Sequence, residues 1–195
     1  MPRDKPLQKP PDLAQAVTLM RRSGLLPMNP SLKPGSPFPD LQLPDHTGIV
    51  RELSELSEGD PLVLCFFRGW WCPKEQAFFR KLVALQDEME VAYSRLVSVS
   101  IDASDTLAAF RAGLGARWTF LSDAERRYIE QLGLRETTDT LYRPYVPTTF
   151  VLAPDLTIHS VYNGYWFWGR PTNEELRRDL RAVTRAIRPD WEVPA

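Results

Sequence analysis

With 195 residues, 43% of them hydrophobic and 25% charged, the chain has the length and composition of one ordinary globular domain with room for a sizeable core. Its 24 basic and 25 acidic residues leave a formal charge of -1, which offers no electrostatic footprint for nucleic acid or an anionic membrane. Two cysteines, Cys65 and Cys72, exclude a disulfide framework, and the charged, proline-punctuated N-terminus lacks the apolar run of a secretory signal, so a reducing cytoplasm is the expected setting.

Ten of the 18 prolines fall in the first 44 residues, and those at Pro2, Pro6, Pro10 and Pro11 interrupt any helix or strand before Asp12. Leu13, Val17 and Met20, followed by Gly24, predict one short amphipathic helix. Residues 1–32 thus read as an N-terminal arm with one helix, and 33–195 as the domain. Residues 27–39 read as loop. Leu41 to Leu43 and Ile49–Val50, joined by Asp45-His46-Thr47-Gly48, predict a hairpin, and Leu53 to Leu56 a single helical turn. The unbroken apolar run from Pro61 to Phe67 has the length of a strand buried on both faces. Pro73 to Tyr93 follows helical period, with Phe78, Leu82, Leu85 and Met89 on one stripe and proline in the first turn, where it is favourable. Leu96 to Ile101 predicts a strand, Ser104 to Leu114 a helix with Leu107 and Phe110 inward, and Trp118 to Leu121 a short strand. Ser122-Asp-Ala-Glu125 reads as a capping box opening a helix to Leu132. Thr149 to Leu152 and Thr157 to Tyr162 flank a Pro154-Asp155 turn, giving an antiparallel hairpin. Thr172-Asn-Glu-Glu175 is a second capping box, opening a last helix with Leu176, Leu180, Val183 and Ile187 on its apolar stripe.

This order joins a β-α-β unit to a β-β-α unit, with helices on both faces of a central sheet. The fold class is α/β: a thioredoxin-like three-layer sandwich with a central mixed sheet, preceded by a β-hairpin and an extra N-terminal helix.

Chemistry concentrates in Phe66-Phe-Arg-Gly-Trp-Trp-Cys-Pro73, between the apolar strand and the helix that starts at Pro73. The free N–H groups and dipole of a helix start favour a thiolate at Cys72, and Arg68 and Lys74 add positive charge nearby. A thiolate is the nucleophilic form, able to attack a peroxide O–O bond or a disulfide sulfur. Glu75 stands where a Cys-x-x-Cys motif would place its second thiol. The choice lies between an exchanger without its partner, a one-cysteine nucleophile and a retired site. Cys65, inside the apolar run, reads as a small buried hydrophobe. Tyr162 to Pro171 is strongly aromatic: either a lid or docking wall built on Tyr165, Trp166, Trp168 and Arg170, or packing over the sheet edge. His46 and His159 lack metal-type partners, no Gly-rich phosphate cradle or Gly-x-Ser-x-Gly elbow exists, and Arg80 is too far from Cys72 for a phosphatase loop.

Pro34-Gly35 through Gly48, Leu64 to Glu75, Ser100-Ile-Asp102, Leu121-Ser-Asp123 and Tyr145-Val-Pro147-Thr148-Thr-Phe-Val-Leu152 together resemble the peroxiredoxins of the alkyl hydroperoxide reductase and thiol-specific antioxidant (redoxin) group. The resemblance spans about residues 33–187. It implies a thiol-dependent peroxidase, an antioxidant oxidoreductase of cell redox homeostasis, with Cys72 as the peroxidatic nucleophile and Arg68 as electrostatic support. It also implies backbone N–H groups around Trp71 and Cys72 as oxyanion donors, and Gly69, Trp70, Trp71, Pro73, Glu75, Pro147 and Thr148 as active-site neighbours. A cis Val146–Pro147 bond beside the cysteine belongs to the same resemblance. The implied partners are a small hydroperoxide and an external thiol reductant, with a homodimer as a further candidate; no cofactor, metal, nucleic acid or membrane is expected.

The departures are equally specific. The family places a hydroxyl three residues before the cysteine, where this chain has Gly69, and a proline seven before it, where this chain has Cys65. The family's strand arginine falls near Pro147, leaving Arg68, Arg143 or Arg170 to substitute. Glu75 matches the Cys-Pro-x-Glu of ordinary peroxiredoxins, or else is a solvated first-turn acid helped by the helix dipole. With no resolving thiol at that place, the cycle implied is a one-cysteine cycle. The alternative is a catalytically impaired thioredoxin-like binding or redox-sensing module that uses the aromatic loop 162–170.

Overall fold

A computed structural model describes residues 28–164 and 169–190. The expected helix at 12–24 and the aromatic residues Tyr165, Trp166 and Trp168 lie outside the described residues.

Strands β1 (Gln42–Pro44) and β2 (Val50–Glu52) form the expected hairpin, followed by α1 (Leu53–Ser57). The hairpin turn is closed by Asp45, whose carboxylate accepts from the N–H groups of Thr47 and Ile49, and which stays below the usual carboxylate range because these bonds and Arg51 outweigh its burial. The domain continues as β3 (Leu62–Phe66), α2 (Pro73–Val91), β4 (Arg95–Ser100), α3 (Ser104–Leu114), β5 (Thr119–Ser122), α4 (Arg127–Gln131), β6 (Thr148–Leu152), β7 (Ile158–Asn163) and α5 (Asn173–Ile187).

The five-stranded sheet runs β5-β4-β3-β6-β7. The β3/β4 and β4/β5 pairs are parallel and the β3/β6 and β6/β7 pairs antiparallel, so the sheet is mixed. All five residues of the central strand β3 are buried, which accounts for its unbroken apolar sequence. Because strand side chains alternate, β3 divides its residues between two cores. Leu62, Leu64 and Phe66 join the core under the hairpin and α4, with Leu41, Leu53, Ile129 and Tyr145. Val63, Cys65 and Phe67 face α2, α3 and α5, meeting Phe79, Leu82, Leu107, Leu176 and Leu180. Helices therefore cover both faces, with the three longer ones on a single side. Residues 28–32 lie against the first core, where Leu32 is buried.

Three expectations are corrected. Ser122-Asp-Ala-Glu125 makes no capping box: Ser122 pairs with Ser100 as the last rung of β5, and its hydroxyl donates to the Asp102 carbonyl. The turn starts later instead, with Asp123 accepting from the N–H groups of Arg127, Tyr128 and Ile129 and from the Tyr145 hydroxyl. Burial and the Asp123 charge push the Tyr145 phenol far above its ordinary pKa. Ile187 does not complete the apolar stripe of α5, because it sits at the end of the helix and 39% of its surface is exposed. The Val146–Pro147 bond is trans, as is every peptide bond among the described residues, in line with the intrinsic preference of X-Pro bonds. The Thr172–Glu175 capping box forms as expected.

Candidate active site

Phe66 ends the central strand, Phe67 donates its N–H to the Val99 carbonyl, and residues 68–72 then turn into α2. Cys72 is the N-cap of this 19-residue helix, with Pro73 in its first turn. Proline is tolerated there because a first-turn N–H has no helical partner to lose. Cys72 is 4% exposed and a free thiol, with its side chain making no capping hydrogen bond. Its own N–H donates to the Gly69 carbonyl at 3.2 Å, which corrects the expectation that this group is an available oxyanion donor. The antiparallel register sets Thr148 opposite Phe66, so the start of β6 and Pro147 lie beside the end of β3. Thr148 is buried and its hydroxyl donates to the Val146 carbonyl.

Gly69 has a physical reason for lacking the family's hydroxyl. Its φ is +146°, and a Cβ there would lie 2.6 Å from Trp71 Nε1 and 3.1 Å from Asp102 Oδ2. Both the backbone and the space select glycine. The Asp102 carboxylate, at the end of β4, is the anchor of this turn. One oxygen accepts from the Trp70 N–H at 3.0 Å and from the Ser100 hydroxyl at 2.9 Å. Burial pushes the Asp102 carboxyl above its ordinary pKa, against the pull of these two bonds. Gln76 closes the other side by donating to the Trp70 carbonyl at 3.0 Å, and Trp70 is 49% exposed.

Arg68 does not stand as a free cation over the thiol. Its Nη2 donates to Asp139 Oδ2 at 2.7 Å, and its guanidinium lies 5.2 Å from the centroid of Trp71. Trp71 stacks in turn on Tyr142, centroids 4.3 Å apart. Asp139 also accepts from the Leu141 and Tyr142 N–H groups, so one carboxylate shapes the 139–142 turn and ties it to the cysteine loop. The Nε of Arg68 is buried without a partner among the described residues.

Glu75 is corrected too. It is not a solvated acid: its side chain is 1% exposed and is gripped by Arg170, Nη2 to Oε1 at 2.5 Å and Nε to Oε2 at 3.2 Å. This two-pronged, charge-assisted pair fastens the first turn of α2 to the chain just before α5. Arg170 is thus engaged by Glu75, while Arg143 is exposed. Gly164 and Gly169, at either end of the aromatic segment, are pressed together: a Cβ on Gly169 would lie 2.2 Å from the Asn163 carbonyl oxygen. Reasoning along the chain missed Asp139, Tyr142 and Gln76, and gave Asp102 no role.

Cys65 is the other sulfur. It is 1% exposed among apolar neighbours, with the Thr149 hydroxyl 3.7 Å from Sγ, and burial pushes its thiol up to about 12. Among the described residues no helix is long and apolar enough to cross a membrane.

Residues 34–161 match the AhpC/TSA family. The Mycobacterium tuberculosis protein named "Putative peroxiredoxin Rv1608c" is 31% identical over 160 residues, covering 80% of this chain and 99% of its own. The crystal structure of peroxidoxin BcpB from Mycobacterium tuberculosis superposes with a TM-score of 0.67 at 28% identity, covering 80% of this chain and 98% of that one. Mycobacterium bovis AhpC superposes with a TM-score of 0.62 at 25% identity, covering 80% and 99%. A central mixed sheet, a lone cysteine capping the helix after its middle strand and a family match over most of the domain lead to one assignment: the chain belongs to the AhpC/TSA family, the peroxiredoxin-like proteins of thioredoxin fold.

Proposed function

We propose that the chain is a thiol-dependent peroxidase in which Cys72 is the only reacting sulfur and an external thiol completes a one-cysteine cycle. The observation that carries this reading is the position of Cys72 as N-cap of α2 at the end of the central strand, with Glu75, not a second thiol, one turn on. A thiolate there lies against the positive end of a 19-residue helix. It attacks one peroxide oxygen, the O–O bond breaks, the departing alkoxide takes a proton and leaves as alcohol or water, and Cys72 is left as a sulfenic acid. Arg68, in the same loop and held by Asp139 and Trp71, is the residue we assign as electrostatic support. Cys65 takes no part, being held as a neutral thiol inside the strand. A reducing cytoplasm accords with two free cysteines.

The test is to add one equivalent of hydrogen peroxide to the Cys65→Ala protein, trap with dimedone and follow peroxide loss. One adduct at Cys72 is expected, and none in Cys65→Ala/Cys72→Ser. A second reading, a binding or redox-sensing module that has lost peroxide chemistry, is favoured by Gly69 in place of a hydroxyl and by the 4% exposure of Cys72. Peroxide consumption unchanged by Cys72→Ser, or absent from the native protein, would select it.

A further inference from the structure

A cavity of about 330 Å³ opens between the C-terminal turns of α2 and α5, at the end of the domain away from the cysteine loop. Pro61 and Ser94, the residues before β3 and β4, line it, whereas Cys72 follows the far end of β3. Leu85, the first residue of α2 to line it, comes about 20 Å along the helix axis from Cys72. The cavity is remote from the sulfur chemistry and stands independently of the peroxidase reading. Its volume is that of a small ligand site.

The floor is hydrocarbon. Leu85, Met89 and Leu180 are buried there, and no lining residue has a buried side-chain polar atom without a partner, so the interior asks no hydrogen bond of an occupant. The rim is apolar too. Val91, Tyr93 and Ile187, exposed by 82%, 63% and 39%, gather at this one mouth, and an apolar patch left open in this way marks a binding surface.

Tyr93 also carries a conformational cost. It holds φ +48° at the end of α2, where its N–H donates to the Glu90 carbonyl and the Ser94 N–H to the Met89 carbonyl. These are the bonds of a Schellman motif, and glycine is the usual residue at the left-handed position. A largely exposed tyrosine gains little from packing in return. Its ring lies instead 5.3 Å from the Arg188 guanidinium, which lines the cavity as well.

Charge supplies the last constraint. Three arginines and one glutamate line the cavity. Arg177 is taken by Glu88, its Nε lying 2.8 and 3.0 Å from the two carboxylate oxygens. Arg188 is 3.8 Å from Asp60, a carboxylate that Arg95 already holds at 3.0 Å. Arg181, one turn after Arg177 on the same face of α5, forms no ion pair among the described residues. The two helix C-termini bring about half an elementary negative charge each, which leaves about one positive charge at the mouth.

We propose that this cavity binds a medium-chain carboxylate, with its alkyl chain on Leu85, Met89 and Leu180 and its carboxylate on Arg181. A neutral hydrocarbon would leave the arginine unmatched, and a dianion would exceed the single surplus charge. The lining stretch of α2 from Leu85 to Ala92 runs about 10 Å along the axis, the length of a chain of roughly eight carbons.

The test titrates octanoate into the native protein by isothermal calorimetry, with octanol and octylammonium as neutral and cationic counterparts. We expect one octanoate to bind saturably and each counterpart to bind at least tenfold more weakly. Arg181→Glu should weaken octanoate at least tenfold and keep the native unfolding midpoint in urea, because the side chain is exposed and holds no ion pair among the described residues. Tyr93→Gly should weaken it several-fold with a midpoint no lower than native, since glycine relieves the left-handed backbone. Equal affinity for the three ligands, or octanoate affinity within twofold of native in both variants, overturns the site. So does the absence of saturable binding up to about 5 mM octanoate. Light scattering supplies the remaining arm: a native dimer that Tyr93→Gly dissociates would assign this face to a second copy of the chain and overturn the ligand.

Discussion

Cys65 and Cys72 lie seven residues apart on one strand-loop-helix unit and are almost equally buried, at 1% and 4% exposure. Their surroundings differ in kind. Cys65 is mid-strand, paired with Ser98 on one side and Thr149 on the other, its side chain turned into the core beneath α2 and α5. There the neutral thiol is favoured and its pKa rises to about 12. Cys72 caps a long helix, in a loop fixed by Asp102, Gln76 and Asp139. Burial alone therefore does not distinguish the two cysteines; the backbone around each does.

The sharpest way to break the comparison is to remove each sulfur in turn. Cys72→Ser is expected to lower peroxide consumption by about a thousandfold or more, as loss of a covalent nucleophile does in other enzymes. Cys65→Ala should keep the rate within about twofold, since no step uses it. The opposite pattern would transfer the chemistry to the strand cysteine. Dimedone adducts mapped by mass spectrometry check both.

Next in size is the anchoring of the helix start. Removing one partner of a buried, paired charge costs about 3–5 kcal/mol, because the other is left uncompensated. Arg170→Met, which strands Glu75, is expected to lose that much in urea unfolding. Glu75→Gln/Arg170→Met should lose less than the two single variants summed. An additive pair would mean that the two side chains act independently, and that the setting of Cys72 owes nothing to their contact.

How legible each part was in the sequence follows from how local its cause is. The strand through Cys65 and the helix behind Cys72 are written in adjacent residues, as an apolar run and a helical stripe closed by Pro73, so the junction that carries Cys72 could be located at once. Glu75 invites a local reading as a surface acid, and that fails because Arg170 reaches it from 95 residues away. Asp139 and Arg68 are 71 apart, and no periodicity links one loop to another. At Ser122-Asp-Ala-Glu125 two local signals compete, and sheet pairing of Ser122 prevails over capping. Gly69 was visible as a departure, but its reason, a φ of +146° with the Asp102 carboxylate as well as the neighbouring Trp71 indole where a Cβ would stand, appears only in the folded loop.

A smaller effect separates the cysteines by pH. Cys65 has a folded pKa of about 12 against an ordinary 9.0, so between those values the folded state holds a proton that the unfolded state has released. Stability is unaffected by this group below pH 9.0 and falls as pH rises toward 12, by about 1.4 kcal/mol per unit. Tyr145, raised as well, adds to the alkaline loss and is common to both proteins when Cys65→Ala is compared with the native chain. The difference between the two denaturation series from pH 9 to 10.5 isolates the thiol, and the variant should show the shallower slope. Equal slopes would mean that Cys65 ionises as freely as a solvated thiol.

The smallest expected effect tests what makes the Cys65 setting inert. The Thr149 hydroxyl approaches Cys65 Sγ at 3.7 Å, and a thiol sulfur is a weak acceptor, so this contact contributes little beside the apolar packing around it. Thr149→Val keeps the shape and removes the hydroxyl. Its effect on unfolding free energy is expected to stay under about 1 kcal/mol, since replacing a weakly bonded buried hydroxyl with a methyl group trades one small term for another. The thiol pKa should rise if anything, because the hydroxyl is the group that pulls it down against burial. A loss above about 2 kcal/mol would require a strong polar contact at Thr149. The strand cysteine would then be held by a polar contact, as the loop that carries Cys72 is, and the contrast would rest on the helix terminus alone.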